Sequence, residues 1–172
     1  MSTVFFKLAT TGLPRYGPAE VVSIGAVTSD GIEFQEFINP IGKIHRGASK
    51  VHGFHKVRGQ LYLDGTRVLD AMDPETGLNS FMDWLEHVDC TFLVAHNNFA
   101  FHWEVLEQNL VEYQIPPPTF QVIDSLQFVQ DGKNLRENKS FQNQRFSFVF
   151  RISDAPEHCL ARLLVCHLWN RV

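Results

Sequence analysis

A mixed β-sheet with helices packed on it, an α/β arrangement, is the fold class this sequence predicts. Three observations point to it. Three apolar runs open the chain with a turn signal between the second and third, which reads as neighbouring strands. From residue 78 onward the hydrophobic period lengthens to helical spacing, and helical stretches then alternate with short buried runs. The 172 residues are 44% hydrophobic, enough for one domain with a real core, taken as residues 1–172.

The elements follow in order. Residues 4–8 are apolar and run into Thr10-Thr11-Gly12, a strand entering a turn. Residues 21–28 (VVSIGAVT) form a second strand, closed by Asp30-Gly31, a two-residue hairpin signal. Residues 32–38 (IEFQEFI) alternate with period two and return as the third strand, which Asn39-Pro40 ends. Residues 41–76 carry five glycines and read as irregular. Leu78, Phe81, Met82, Leu85 and Val88 then recur at helical spacing. Residues 90–95 (CTFLVA) are a buried strand, and 99–110 a helix with Phe99, Val105, Leu106 and Leu110 inward. Three prolines at 116–118 break it. Residues 120–123 are a further strand, after which Asp124-Ser125 can cap a short helix to residue 130. Residues 131–145 are polar and read as a loop, and 155–169 as a last helix with a leucine stripe.

Composition excludes several classes. Fifteen Lys and Arg face nineteen Asp and Glu, for a net charge of −4, so this is no strongly basic DNA-coating protein. No apolar run reaches the roughly 18–20 residues that span a bilayer. The first residues lack a basic region and a small-residue cleavage site, so no secretory signal is expected. Three cysteines, at 90, 159 and 166, suit a reducing compartment and an intracellular setting, cytoplasm or nucleus. Fifteen phenylalanines predict a Phe-rich core, or exposed rings for a partner or for bases.

The net charge hides an asymmetry. Residues 37–63 contain no acid but hold Lys43, Arg46, Lys50, Lys56 and Arg58 with three histidines. Residues 64–112 hold ten acids and one basic residue, Arg67. Zinc is not expected from the histidines and cysteines of the last helix: ligands seven or eight residues apart on one helix are separated by about 10–12 Å, too far for one tetrahedral ion.

Four segments carry a family resemblance. FFKLATTGL (5–13), SKVHGF (49–54), LVAHNNFAFHWEVL (93–106) and SDAPEHCLARLLVCHLW (153–169) match, in order and spacing, the motifs of the DnaQ-like DEDDh three-prime exonucleases. The likeness is to the three-prime repair exonucleases among them. It implies a ribonuclease H-like fold: a mixed five-stranded sheet flanked by helices. It also implies a cleft in which four carboxylates would hold two divalent metals that activate water, with a histidine as general base.

Carried over position by position, the acids of the first motif fall on Lys7 and Ala9, and that of the second on His102. The His and Asp of the third fall on Ser153 and His158. All five catalytic groups are thus replaced. At ~4 Å a unit positive charge repels a divalent ion by several kcal/mol, even at an effective dielectric near 20. The resemblance therefore implies a pseudo-exonuclease with no metal and no cofactor. Three functions follow as expectations. The first is an interaction module that pairs with a protein partner or with itself, through the 32–38 edge strand and its Phe34 and Phe37. The second is metal-independent binding of single-stranded RNA or DNA in the former cleft. Lys7, Thr11, Lys50, His52, Lys56 and Asn97 would hold phosphates and base edges there, and Phe101 or Trp103 would stack. The third is a nuclease with unorthodox ligands. No membrane partner is expected.

Overall fold

The computed structural model describes residues 2–126. Its centre is a five-stranded mixed sheet. Strand β1 (Ser2–Thr10) pairs antiparallel with β2 (Val21–Thr28), and β2 antiparallel with β3 (Glu33–Phe37). Three strands that come next in the chain, β4 (Phe54–Val57), β5 (Gln60–Leu63) and β6 (Thr66–Arg67), form a separate sheet. On its other side β1 pairs in parallel with β7 (Cys90–Ala95), and β7 in parallel with β8 (Gln121–Asp124). The expected mixed five-stranded α/β architecture is what forms.

Alternation explains how the sheet is buried. Val4, Phe6 and Leu8 of β1 point into the main core, so Phe5, Lys7 and Ala9 emerge on the opposite face. Helix α2 (Pro74–His87) covers the core face. Its N-cap Asp73 accepts the Thr76 N–H at 3.0 Å, and Leu78, Phe81, Met82 and Leu85 are buried beneath it. The expected helical stripe is therefore present, starting one turn earlier. Helix α3 (Trp103–Glu112) follows a wide π-type turn, Asn98–His102. Val105, Leu106 and Leu110 face inward as expected, but Phe99 belongs to the wide turn and is exposed.

Residues 41–76 are not irregular. They hold helix α1 (Arg46–His52) and a small antiparallel sheet of β4 (Phe54–Val57), β5 (Gln60–Leu63) and β6 (Thr66–Arg67). The glycines are its turns: Arg58 and Gly59 both have positive φ, as do Asp64 and Gly65. Two consecutive left-handed residues make the tight turn that antiparallel strands favour. Phe54 and Leu61 close a second small core with Val22 of the main sheet. Conversely, Asp30-Gly31 is not a two-residue hairpin. The Thr28 N–H reaches the Ile32 carbonyl at 2.9 Å, so residues 29–31 form a three-residue loop with Gly31 at φ 94°.

Candidate nucleic-acid interface

The face of β1 that carries Lys7 and Ala9 opens into a cleft of about 1650 Å³. Its far wall is α1 with the loop before it, and its near end is the loop between β1 and β2. Small residues floor it: Lys7 sits across from Gly25 and Ala9 across from Ser23 in the β1–β2 register. The cleft is larger than the roughly 300–1,000 Å³ of small-molecule pockets, and suits a chain.

Lys7 lies half-buried in this floor. Burial lowers the pKa of its ammonium below the ordinary lysine value. No hydrogen bond or ion pair joins it to another described residue. Among the described residues, Lys43, Arg46 and Lys50 line the same cleft, against two acids, Glu20 and Asp64. The Glu20 carboxylate is already occupied, accepting the Ile41 N–H at 2.6 Å and the Gly42 N–H at 2.7 Å. The local field is thus positive although the whole chain is acidic.

His102 also lines the cleft but is buried, 6% exposed. The parallel pairing of β1 with β7 stops at Phe5 and Val94, and the Leu8 N–H beyond it donates to His102 Nδ1 at 3.3 Å. The proton of the neutral ring is therefore on Nε2. Burial, then the charge of Lys7, pushes the His102 pKa down to about 4, with Asp124 opposing. His52 is likewise engaged by backbone. Its Nδ1 accepts the Phe54 N–H at 3.1 Å, leaving Nε2–H to donate to the Thr10 carbonyl at 3.0 Å. Burial lowers its pKa too.

The metals implied by the resemblance can be tested against these donors. Lys7 offers an ammonium without a lone pair and Ala9 offers nothing. His102 has one nitrogen bonded to Leu8 and a proton on the other. Hard divalent cations need oxygen ligands, so these residues do not fit them. Among the described residues no group of three or more His, Cys, Asp or Glu converges.

Of the other expected site residues, Thr11 and Lys50 line the cleft with Lys7. Thr11 Oγ1 accepts the Glu20 N–H at 2.9 Å. Lys56 does not join them: its Nζ donates to the Pro40 carbonyl, and to that of Ile41 at 3.3 Å, beside a separate 470 Å³ cavity. Asn97 lies outside the cleft. It turns the corner between β7 and the wide turn with φ 57°, a left-handed conformation that asparagine tolerates. Phe101 lines the cleft, whereas Trp103 packs edge-on against Phe120 with centroids 5.8 Å apart. Asp124 Oδ2 accepts Phe99 N–H at 3.1 Å and Oδ1 accepts Leu126 N–H at 2.9 Å; the short helix it was expected to cap, to residue 130, lies mostly outside the described residues. Ser153, His158 and the expected last helix lie outside the described residues.

Phe34 and Phe37 lie on the edge strand and are half-buried, each packed on neighbours within the domain. β3 is at the sheet's edge, but Phe34 packs on Phe81 and Trp84, each with centroids 5.2 Å apart. Phe37 packs on Phe54 at 5.9 Å. Glu20 and Asn109 are among the residues that sequence reading missed. Asn109 Oδ1 accepts the Val21 N–H at 3.2 Å and its amide donates to the Ala19 carbonyl at 2.7 Å. An amide among the apolar residues of a helix face was the available signal.

The fold is an α/β one of the kind seen in exonucleases. Among solved structures, E. coli exonuclease I shares the fold. In its zinc-bound complex with single-stranded DNA it aligns with TM-score 0.63 at 16% identity, over 79% of this chain and 30% of that one. In complex with a 5cy-dA13 oligonucleotide the TM-score is 0.64, also at 16% identity, over 80% and 31%. The chain thus spans under a third of the length of these exonuclease I chains. No protein-family model and no curated protein matches it. Among the described residues no helix is long and apolar enough to cross a membrane.

Proposed function

We propose that this domain is a pseudo-exonuclease that binds single-stranded nucleic acid in its cleft, by phosphate contacts and without metal. The observation that carries this reading is Lys7, a half-buried cation without a described partner, where the resembled family has an acid. A buried charge without a counter-ion is unfavourable, and a strand's phosphate would supply one. Lys43, Arg46 and Lys50 extend the positive surface from that point. The fold neighbours cited above hold single-stranded DNA, which supports the same choice of ligand.

The test is fluorescence anisotropy of a short labelled single strand, RNA and DNA, with EDTA present and salt varied. Affinity should fall with a log–log slope of about −2 to −3, as for three or four phosphates neutralised on a single strand. Lys7→Glu should abolish binding. Salt-insensitive binding, or none, would remove the reading. Release of mononucleotides in magnesium or manganese would revive the nuclease instead.

The protein-interaction reading retains one observation. β3 is an edge strand, and by alternation the backbone of residues 33 and 35 faces away from β2. Self-pairing there would appear as a dimer in sedimentation at tens of micromolar, and a monomer under those conditions would end it.

A further inference from the structure

We infer that Tyr16 is a base-stacking platform at the mouth of the cleft. The inference rests on the nucleic-acid reading and adds what phosphate contacts lack, a contact to the bases. Tyr16 is 75% exposed and lines the cleft. A large aromatic ring left in water at the edge of a positive cleft is what single-strand binders use, because every base has a face to stack.

Its mounting is rigid. Thr11 N–H donates to the Glu20 carbonyl at 2.8 Å while Glu20 N–H donates to Thr11 Oγ1, so residues 12–19 form a loop with locked ends. Asn109 ties Ala19, near the end of that loop, to α3. Inside it, Pro14 starts a single 3₁₀ turn, Pro14–Tyr16, in which Tyr16 N–H reaches the Leu13 carbonyl at 3.0 Å. Gly17, at φ 131°, ends the turn in a conformation that favours glycine.

The Arg15 guanidinium lies 4.7 Å from the centroid of the Tyr16 ring. It covers one face and adds positive charge beside it, and the ring remains mostly open. Because the backbone beneath the ring is already fixed, a base that stacks on it has only the side chain left to order. Lys7 on the floor and Tyr16 at the mouth thus divide the work between phosphate and base.

Three probes test this: a base-bearing single strand, a strand of the same length with abasic sites, and inorganic polyphosphate as competitor. Tyr16→Ala should weaken the base-bearing strand about tenfold, and Tyr16→Phe should not. The abasic strand and polyphosphate should bind wild type and Tyr16→Ala equally. Circular dichroism melting should be unchanged, since the side chain is exposed. Equal affinity of wild type and Tyr16→Ala for the base-bearing strand, with Lys7→Glu still abolishing binding, overturns the stacking role alone. An equal loss on the abasic strand overturns it too, because the ring would then act without bases. Failure of wild type to bind any of the three removes the nucleic-acid reading and this inference with it.

Discussion

His102 Nδ1 receives the Leu8 backbone N–H at 3.3 Å, fastening the start of α3 to the middle of β1. The bond requires an unprotonated Nδ1, and burial holds the ring near a pKa of about 4. In the unfolded chain the same ring titrates near 6.5. Between these values the unfolded state takes up a proton that the folded state refuses, so stability falls as pH drops from 6.5 toward 4 and levels off below. The full difference is about 3 kcal/mol. His52, also lowered by burial, contributes with the same sign. His102→Asn keeps an acceptor for Leu8 and does not titrate. Urea unfolding at several pH values should show a shallower acid slope for the variant; identical slopes would refute the assignment.

Asn109 is the second polar fastening. It satisfies Val21 N–H and the Ala19 carbonyl from inside the core, where it is 6% exposed. Asn109→Ala leaves both backbone groups buried without partners, at about 1–3 kcal/mol for each such group. Denaturant unfolding should therefore register a loss of about 2–6 kcal/mol. Asn109→Leu should be no better, because volume is not what the site lacks. A loss under 1 kcal/mol would mean that water replaces the amide.

Phe34 separates a packing role from a dimer role. Its ring packs against both Phe81 and Trp84, so Phe34→Ala should destabilise by about 2–3 kcal/mol. Sedimentation of the folded variant should match that of wild type. A variant of unchanged stability but altered oligomeric state would restore the exposed-edge role expected from sequence.

The difference between that expectation and the structure has a physical cause. Period two predicts which residues of 32–38 share a face, but not which neighbour covers that face. The sheet's strands were legible because apolar runs such as CTFLVA can only be buried. The small sheet of β4–β6 was not, since its strands are two to four residues long and its signal lies in the turns. Asp64-Gly65 is the same dipeptide as Asp30-Gly31, yet only the former makes the two-residue turn, because the Thr28 hydroxyl receives the Ile32 N–H at 2.8 Å and widens the latter loop. At the cleft, Lys7, Ala9 and His102 were found by position in the motifs. Lys56 was misplaced because charge along the chain says nothing about which side of a short strand faces the cleft. Tyr16 carried no periodicity, and only its exposure reveals it.

Lys7 also sets an alkaline limit on binding. Burial depresses its pKa, so its charge is lost at a lower pH than for an ordinary lysine. Phosphate binding favours the charged form, so affinity should hold through neutral pH and fall as pH rises through the depressed value, before 10.5 is reached. Lys7→Arg keeps the charge, since guanidinium does not deprotonate in this range, and should extend binding to higher pH. Anisotropy titrations from pH 7 to 10, at fixed salt, compare the two. Should wild type and Lys7→Arg lose affinity at the same pH, another group controls the alkaline limit. Lys7 would then be a cation near the strand rather than the one that holds it.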